Sequence, residues 1–146
     1  LEIADKKKEI FDEDIISLFT DQHRKTGISR FALDYFHIST GSKTVPTATI
    51  KLRVDDVVIE ESATGDGPVD AAYHAINNML GNSYDVAEYK LDSITGDTDA
   101  QAQVVVIIEK NGERHMGRGQ STDIVEASIV AYINAVNRLY KGEEND

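Results

Sequence analysis

Ala63-Thr64-Gly65-Asp66-Gly67-Pro68-Val69-Asp70-Ala71-Ala72 opens an apolar helix, and the chain later does the same again. The second occurrence is Gly117-Arg118-Gly119-Gln120-Ser121-Thr122-Asp123-Ile124-Val125-Glu126-Ala127-Ser128. Aligned on Val69-Asp70-Ala71-Ala72 and Val125-Glu126-Ala127-Ser128, the helices also share Ala75 with Ala131. Upstream, Ser39-Thr40-Gly41 answers Ile94-Thr95-Gly96, and a β-rich run follows each. The pattern predicts an α+β fold of two pseudo-symmetric βββα units, with antiparallel strands packed on helices. Each unit is expected to bring a glycine-rich turn to a helix N-terminus. Such a pair of turns fits a small-anion site in a ligand-sensing module better than a catalyst.

Within the first unit, Phe31 to Thr40 reads as a strand. From Thr44 to Val54 the residues alternate, with Ala48, Ile50, Leu52 and Val54 on one face and Thr49, Lys51 and Arg53 on the other. That is the period of a half-buried strand. Asp55-Asp56 turns the chain into Val57 to Ser62, and a helix from Val69 to Leu80 ends at Gly81-Asn82. The second unit reads as strands Val86 to Ile94, Gln101 to Glu109 and Glu113 to Gly119, with a turn at Gly96 to Asp99. Asn111-Gly112 is suited to a type I′ hairpin turn. A helix from Asp123 to about Tyr140 follows; Asp123 with Glu126 resembles a capping box, and Ser121 or Thr122 are the other candidate caps.

This last helix leaves hardly any polar face: Ile124, Val125, Ala127, Ile129, Val130, Ala131, Tyr132, Ile133, Ala135, Val136 and Leu139 are all apolar. A surface helix shows a polar side, so all-round burial is expected. One sheet covers one face, and the remaining cover falls to the sister helix or a second subunit; a dimer is predicted. At the start, Ala4 to Phe19 reads as helical through Ile10, Phe11, Ile15, Leu18 and Phe19. It serves either as a connector to an upstream domain or as a helix packed on the sheet. The polar stretch Thr20 to Gly27 marks the boundary, giving a linker over 1–27, a domain over 28–140 and a disordered tail over 141–146. The chain begins Leu1-Glu2-Ile3 without Met, as expected of a piece of something longer, with Leu1 and Glu2 as candidate additions.

A net charge of -11 across 146 residues disfavours nucleic acid, which needs Lys and Arg to displace phosphate counterions. It equally disfavours an anionic membrane surface. No cysteine is present, so disulfides and thiolate chemistry are excluded, and a cytoplasmic setting is compatible. No apolar run approaches the roughly 20 residues of a spanning helix. His23, His37, His74 and His115 never meet at metal-ligand spacing, and no nucleophile elbow or complete dinucleotide fingerprint occurs. Catalysis in this chain is not expected.

The glycine turns remain. Backbone amides at a helix N-terminus, backed by the helix dipole, attract a carboxylate or phosphate. The bland alternative is that Gly65, Gly67, Gly117 and Gly119 only make tight turns. Val69, Val86, Tyr89 and Val105 are candidates for an adjoining apolar pocket, and Asp66, Asp99 or Asp123 for accepting from an ammonium group. Carboxylate, ammonium and aliphatic tail together describe a branched-chain amino acid.

At these residues the chain resembles the C-terminal regulatory domain of the 2-isopropylmalate synthase and citramalate synthase family. The resemblance rests on Gly65 to Ala72, on Tyr89 with Ser93-Ile94-Thr95-Gly96 and Thr98-Asp99-Ala100-Gln101-Ala102, on Gly117 to Ser128, and on Ala131-Tyr132-Ile133-Asn134-Ala135-Val136-Asn137-Arg138. It implies a homodimeric, cytoplasmic domain that binds the end-product amino acid near the subunit interface and inhibits a catalytic barrel outside this chain. That barrel, which holds the divalent metal, condenses acetyl-CoA with a 2-oxo acid in branched-chain amino-acid biosynthesis; no cofactor belongs to this domain. The implied effector residues are Gly65, Asp66, Gly67, Val69, Ala72, Val86, Tyr89, Ser93, Ser121 and Thr122. Leucine, with isopropylmalate synthase as the parent enzyme, is the expected effector. Isoleucine with citramalate synthase is the alternative, and a dimerisation scaffold without ligand is a third reading.

Overall fold

The structure, a computed structural model, describes residues 31–95 and 100–145. The leading helix, the boundary at 20–27 and the turn at Gly96 to Asp99 lie outside the described residues. Two antiparallel meanders each precede a helix. In the first, β1 (Phe31–Gly41), β2 (Thr44–Val54) and β3 (Val57–Thr64) lead to α1 (Pro68–Leu80). In the second, β4 (Asp85–Thr95), β5 (Ala100–Lys110) and β6 (Glu113–Ser121) lead to α2 (Ile124–Asn145). The two predicted βββα units are present. None of the described helices is long and apolar enough to cross a membrane.

Alternation in β2 works as expected: Ala48, Ile50, Leu52 and Val54 are buried to within 1%. In β5, Val104, Val106 and Ile108 do the same. Asn111 and Gly112 take φ 55° and 83°, the left-handed pair that a type I′ turn demands. Gly81, also left-handed, ends α1. α2 outruns its predicted end near Tyr140: its backbone carries Lys141 to Asn145, read in the sequence as tail, as further helix. Lys and Glu are good helix formers, and the single Gly142 does not stop the helix.

α1 lies on β2 and β3, whereas α2 lies on β5 and β6 and also reaches β1 and α1. Most of the burial of α2 is thus met inside one chain, by both sheets and the sister helix, while Ile124 at its start stays 46% exposed. That burial therefore does not by itself call for a second subunit. Tyr73 and Tyr132 stack at 4.1 Å between ring centroids. Tyr73 donates to the Ser128 carbonyl (2.8 Å), and Tyr132 donates to Asn77 Oδ1 (2.5 Å). The contacts advance together along both helices, from 73 with 128 to 77 with 132. The helices therefore run parallel and begin at the same end of the molecule.

Two asparagines on the polar stripe of α2 hold the neighbouring strand edges. Asn134 donates to the Arg118 carbonyl of β6 (2.6 Å). Asn137 accepts from the Phe31 amide (2.7 Å) and donates to its carbonyl (2.8 Å), pairing with β1 as a further strand would. Asn137→Ala leaves both Phe31 groups without this partner. A destabilisation of about 1–3 kcal/mol is expected, measured as a lowered midpoint in urea with unchanged slope.

Candidate functional site

The four glycines that defined the turns do different jobs. Gly117 and Gly119 belong to strand β6, not to a turn. A Cβ on Gly117 would stand 2.0 Å from the Ala131 carbonyl oxygen, and one on Gly119 2.1 Å from that of Ala127. These glycines let the Ala127-Ala131-Ala135 face of α2 lie directly on the sheet. Gly65 is similar, with a Cβ position 2.5 Å from the Ala71 amide nitrogen. Only Gly67 combines a helix N-terminus with open space around its Cβ position.

The two helix starts also differ in how their amides are used. α2 is closed by its own residues. Asp123 Oδ1 accepts from the Val125 amide (2.8 Å), and Ser121 Oγ accepts from the Asp123 amide (3.0 Å) while donating to Glu126 Oε1 (2.8 Å). Asp123 is therefore the cap, but the reciprocal bond of a capping box is replaced: the Asp123 amide goes to Ser121, and Glu126 accepts from the Ser121 hydroxyl instead. α1 has Gly67 at its N-cap and Pro68 at its first position, and among the described residues no side chain caps it. Asp70 instead folds back to accept from the Asp66 amide (2.8 Å), with His74 Nε2 3.5 Å away on its other oxygen. Among the described residues nothing accepts from the first-turn amides of Val69 and Asp70, which a helix leaves without intrahelical partners.

Strand β4 supplies the other wall. Register pairs Val86 with Ile108, Tyr89 with Val106, Leu91 with Val104 and Ser93 with Ala102. A bulge between Val86 and Glu88 puts Val86 and Tyr89 on the same face despite their three-residue spacing. All four therefore look toward the helix layer. Neither helix lies over β4, and Val86, Tyr89 and Leu91 stay 41%, 42% and 46% exposed. The matching file of the first unit, Leu33, Phe36 and Ile38, is half-buried against the core, on the strand that α2 reaches.

Tyr89 bridges the two walls: its hydroxyl lies 2.6 Å from Ser128 Oγ, in the second turn of α2. Tyr73 of α1 meets the same residue, so both helix starts and β4 converge on one neighbourhood. Val69, one turn before Tyr73 on the same helix face, is half-buried against the core. Burial pushes the Tyr73 phenol above the ordinary tyrosine range, with Tyr89 as a lesser cause, so it stays a neutral donor.

Not every candidate stands here. Val105 pairs with Lys90 and Arg118 and points to the opposite face of its sheet, because it is out of step with Val104 and Val106. Ala72 is fully buried, and the Ser121 hydroxyl is engaged by the cap. Thr122 is exposed beside that cap, and Asp99 lies outside the described residues. Leu91, Ser128 and Tyr73 were not among the site residues expected from the sequence. Leu91 carried a signal, standing at strand spacing between Tyr89 and Ser93; Ser128 and Tyr73 needed the packing. Among the described residues no group of three metal-ligating side chains occurs.

Residues 9–140 match the family described as the LeuA allosteric (dimerisation) domain. The chain is 46% identical over 138 residues to a 2-isopropylmalate synthase of Carboxydothermus hydrogenoformans, covering 94% of this chain and 27% of the relative. It is 44% identical over 137 residues to that of Heliobacterium modesticaldum, with the same coverage of 94% and 27%. Against that of Pseudoalteromonas atlantica it is 42% identical over 147 residues, covering 100% of this chain and 28% of the relative. The chain thus spans little more than a quarter of the relatives' length.

Proposed function

The chain belongs to the LeuA allosteric (dimerisation) domain family, and from that premise we propose that it is the leucine-binding regulatory region of a 2-isopropylmalate synthase. Leucine binding here provides feedback inhibition of a catalytic domain elsewhere in the parent protein. That domain condenses acetyl-CoA with a 2-oxo acid; this region contributes recognition and no chemistry. The observation that carries the reading is the pairing of an uncapped α1 start with an open, mixed apolar and hydroxyl file on β4. The effector carboxylate meets the α1 amides, its ammonium meets the Tyr89 hydroxyl oxygen, and its aliphatic tail lies along Val86 and Leu91.

A second copy of the chain covers the rest of this exposed apolar face, which includes Ile124 at 46% exposure. Occupancy then shifts the balance between arrangements of the two copies. A coupling of about 1–3 kcal/mol is typical of such regulation.

Titration calorimetry of residues 1–146 with leucine, isoleucine and valine tests the proposal, alongside sedimentation for the dimer. Leucine is expected to bind tightest; the branched isomers differ in shape, which a pocket discriminates by about 1–3 kcal/mol. Tighter isoleucine would move the parent enzyme to the citramalate branch. No heat and no thermal shift with any of the three would leave a dimerisation scaffold.

A further inference from the structure

We propose that Ser128 is a positioning residue: its buried hydroxyl fixes the Tyr89 phenol in the effector site and ties that phenol to α2. This rests on the sensor reading above. Tyrosines apart, Ser128 is the one fully buried polar side chain among the described residues. An unpaired hydroxyl in that setting is costly, so its hydrogen bonds reveal what it is for. Ser128 Oγ lies 2.8 Å from the Ile124 carbonyl, which can only accept, so the single serine proton goes there. Tyr89 must then be the donor in its 2.6 Å contact with Ser128 Oγ. The proton order is Tyr89 to Ser128 to the Ile124 carbonyl. The lone pairs of the Tyr89 oxygen are left facing outward, oriented to accept from an ammonium group.

The internal repeat supports a paired role. With β2 and β5 aligned through their hairpins, Ile50 answers Val106, and the helices place Ala72 against Ser128. The strand neighbours of those two positions are Phe36 and Tyr89. Bulges at equivalent places, Leu33/Tyr35 and Val86/Glu88, confirm the register. So where the first unit carries phenylalanine and alanine, the second carries tyrosine and serine. Both members differ by one hydroxyl, and those two hydroxyls are hydrogen-bonded to each other. General stabilisation of the fold does not call for them, because the first unit does without. The bond also continues to α1, since the Ser128 carbonyl accepts from Tyr73.

The test is a double-mutant cycle on residues 1–146, read by calorimetry with leucine. Tyr89→Phe and Ser128→Ala are each expected to weaken binding by about tenfold, and the double variant by the same tenfold rather than a hundredfold. An additive hundredfold loss, or unchanged affinity in Ser128→Ala, overturns the proposal. Alanine is the residue that the first unit bears at this position, so folding is expected; Ser128→Cys, which keeps the shape, is the second variant. Tyrosine-ring NMR separates the two claims. If the wild-type domain takes up no amino acid, the sensor reading fails, while altered Tyr89 ring signals in Ser128→Ala would still support positioning. Unaltered ring signals would refute it.

Discussion

Gly117→Val is expected to abolish the folded domain. The first atom of any side chain at this position would lie 2.0 Å from the Ala131 carbonyl oxygen and 2.3 Å from the Ala135 amide nitrogen. Both obstacles are backbone of α2, so no rotamer change relieves them. The helix must lift from β6, and with it the contacts of Val104, Val106, Ile129, Tyr132 and Val136, all at the centre of the core. Ordinary overpacking costs about 1–3 kcal/mol, where flexible side chains give way. Here a rigid helix must move off a sheet, and a loss approaching the whole stability, about 5–15 kcal/mol for such a domain, is expected. Circular dichroism should show no cooperative transition at 25 °C. Gly67→Ala is the control, because a Cβ there meets nothing and φ is -154°. A Gly117→Val protein melting near the wild-type temperature would mean that α2 does not press on β6.

The division of labour among the glycines shows where the sequence was legible and where it was not. Hydrophobic alternation and the hairpin at Asn111-Gly112 located the strands to within two residues, because burial and turn chemistry are local signals. The repeat gave the unit order. The same repeat misled when Gly65 and Gly67 were set beside Gly117 and Gly119. With the helices aligned, Gly65 falls on Ser121 and Gly67 on Asp123, so the two glycine pairs stand four positions apart. That offset was present in the sequence. It says that one pair precedes a helix while the other lies within a strand. Which amides were already used was not legible, because the Ser121 to Glu126 bond and the Asp70 fold-back depend on rotamers. The sharing of Ser128 by Tyr89 and Tyr73 was hidden too, since it joins residues 39 and 55 positions apart.

Gly67→Asp is expected to separate effector binding from stability. An aspartate at the N-cap accepts from the amides two and three residues on, as Asp123 does for α2. At α1 those are the amides of Val69 and Asp70, the same donors assigned to the effector carboxylate. The substitution therefore supplies in cis the anion that the effector would bring, and adds repulsion toward it. Two charge-assisted hydrogen bonds of about 1.5–3 kcal/mol each are contested, so binding should weaken by at least about a hundredfold. Stability should change by less than about 1 kcal/mol, because the gain of a cap is offset by repulsion from Asp66 and Asp70. Gly67→Ser, a neutral cap, should fall between, with a weaker loss of binding and a slight rise in melting temperature. Thermal melts and leucine titrations on the same samples check both signs. A Gly67→Asp domain that holds leucine as tightly as wild type would place the carboxylate elsewhere than the start of α1. The asymmetry between the two helix ends would then be one of capping alone.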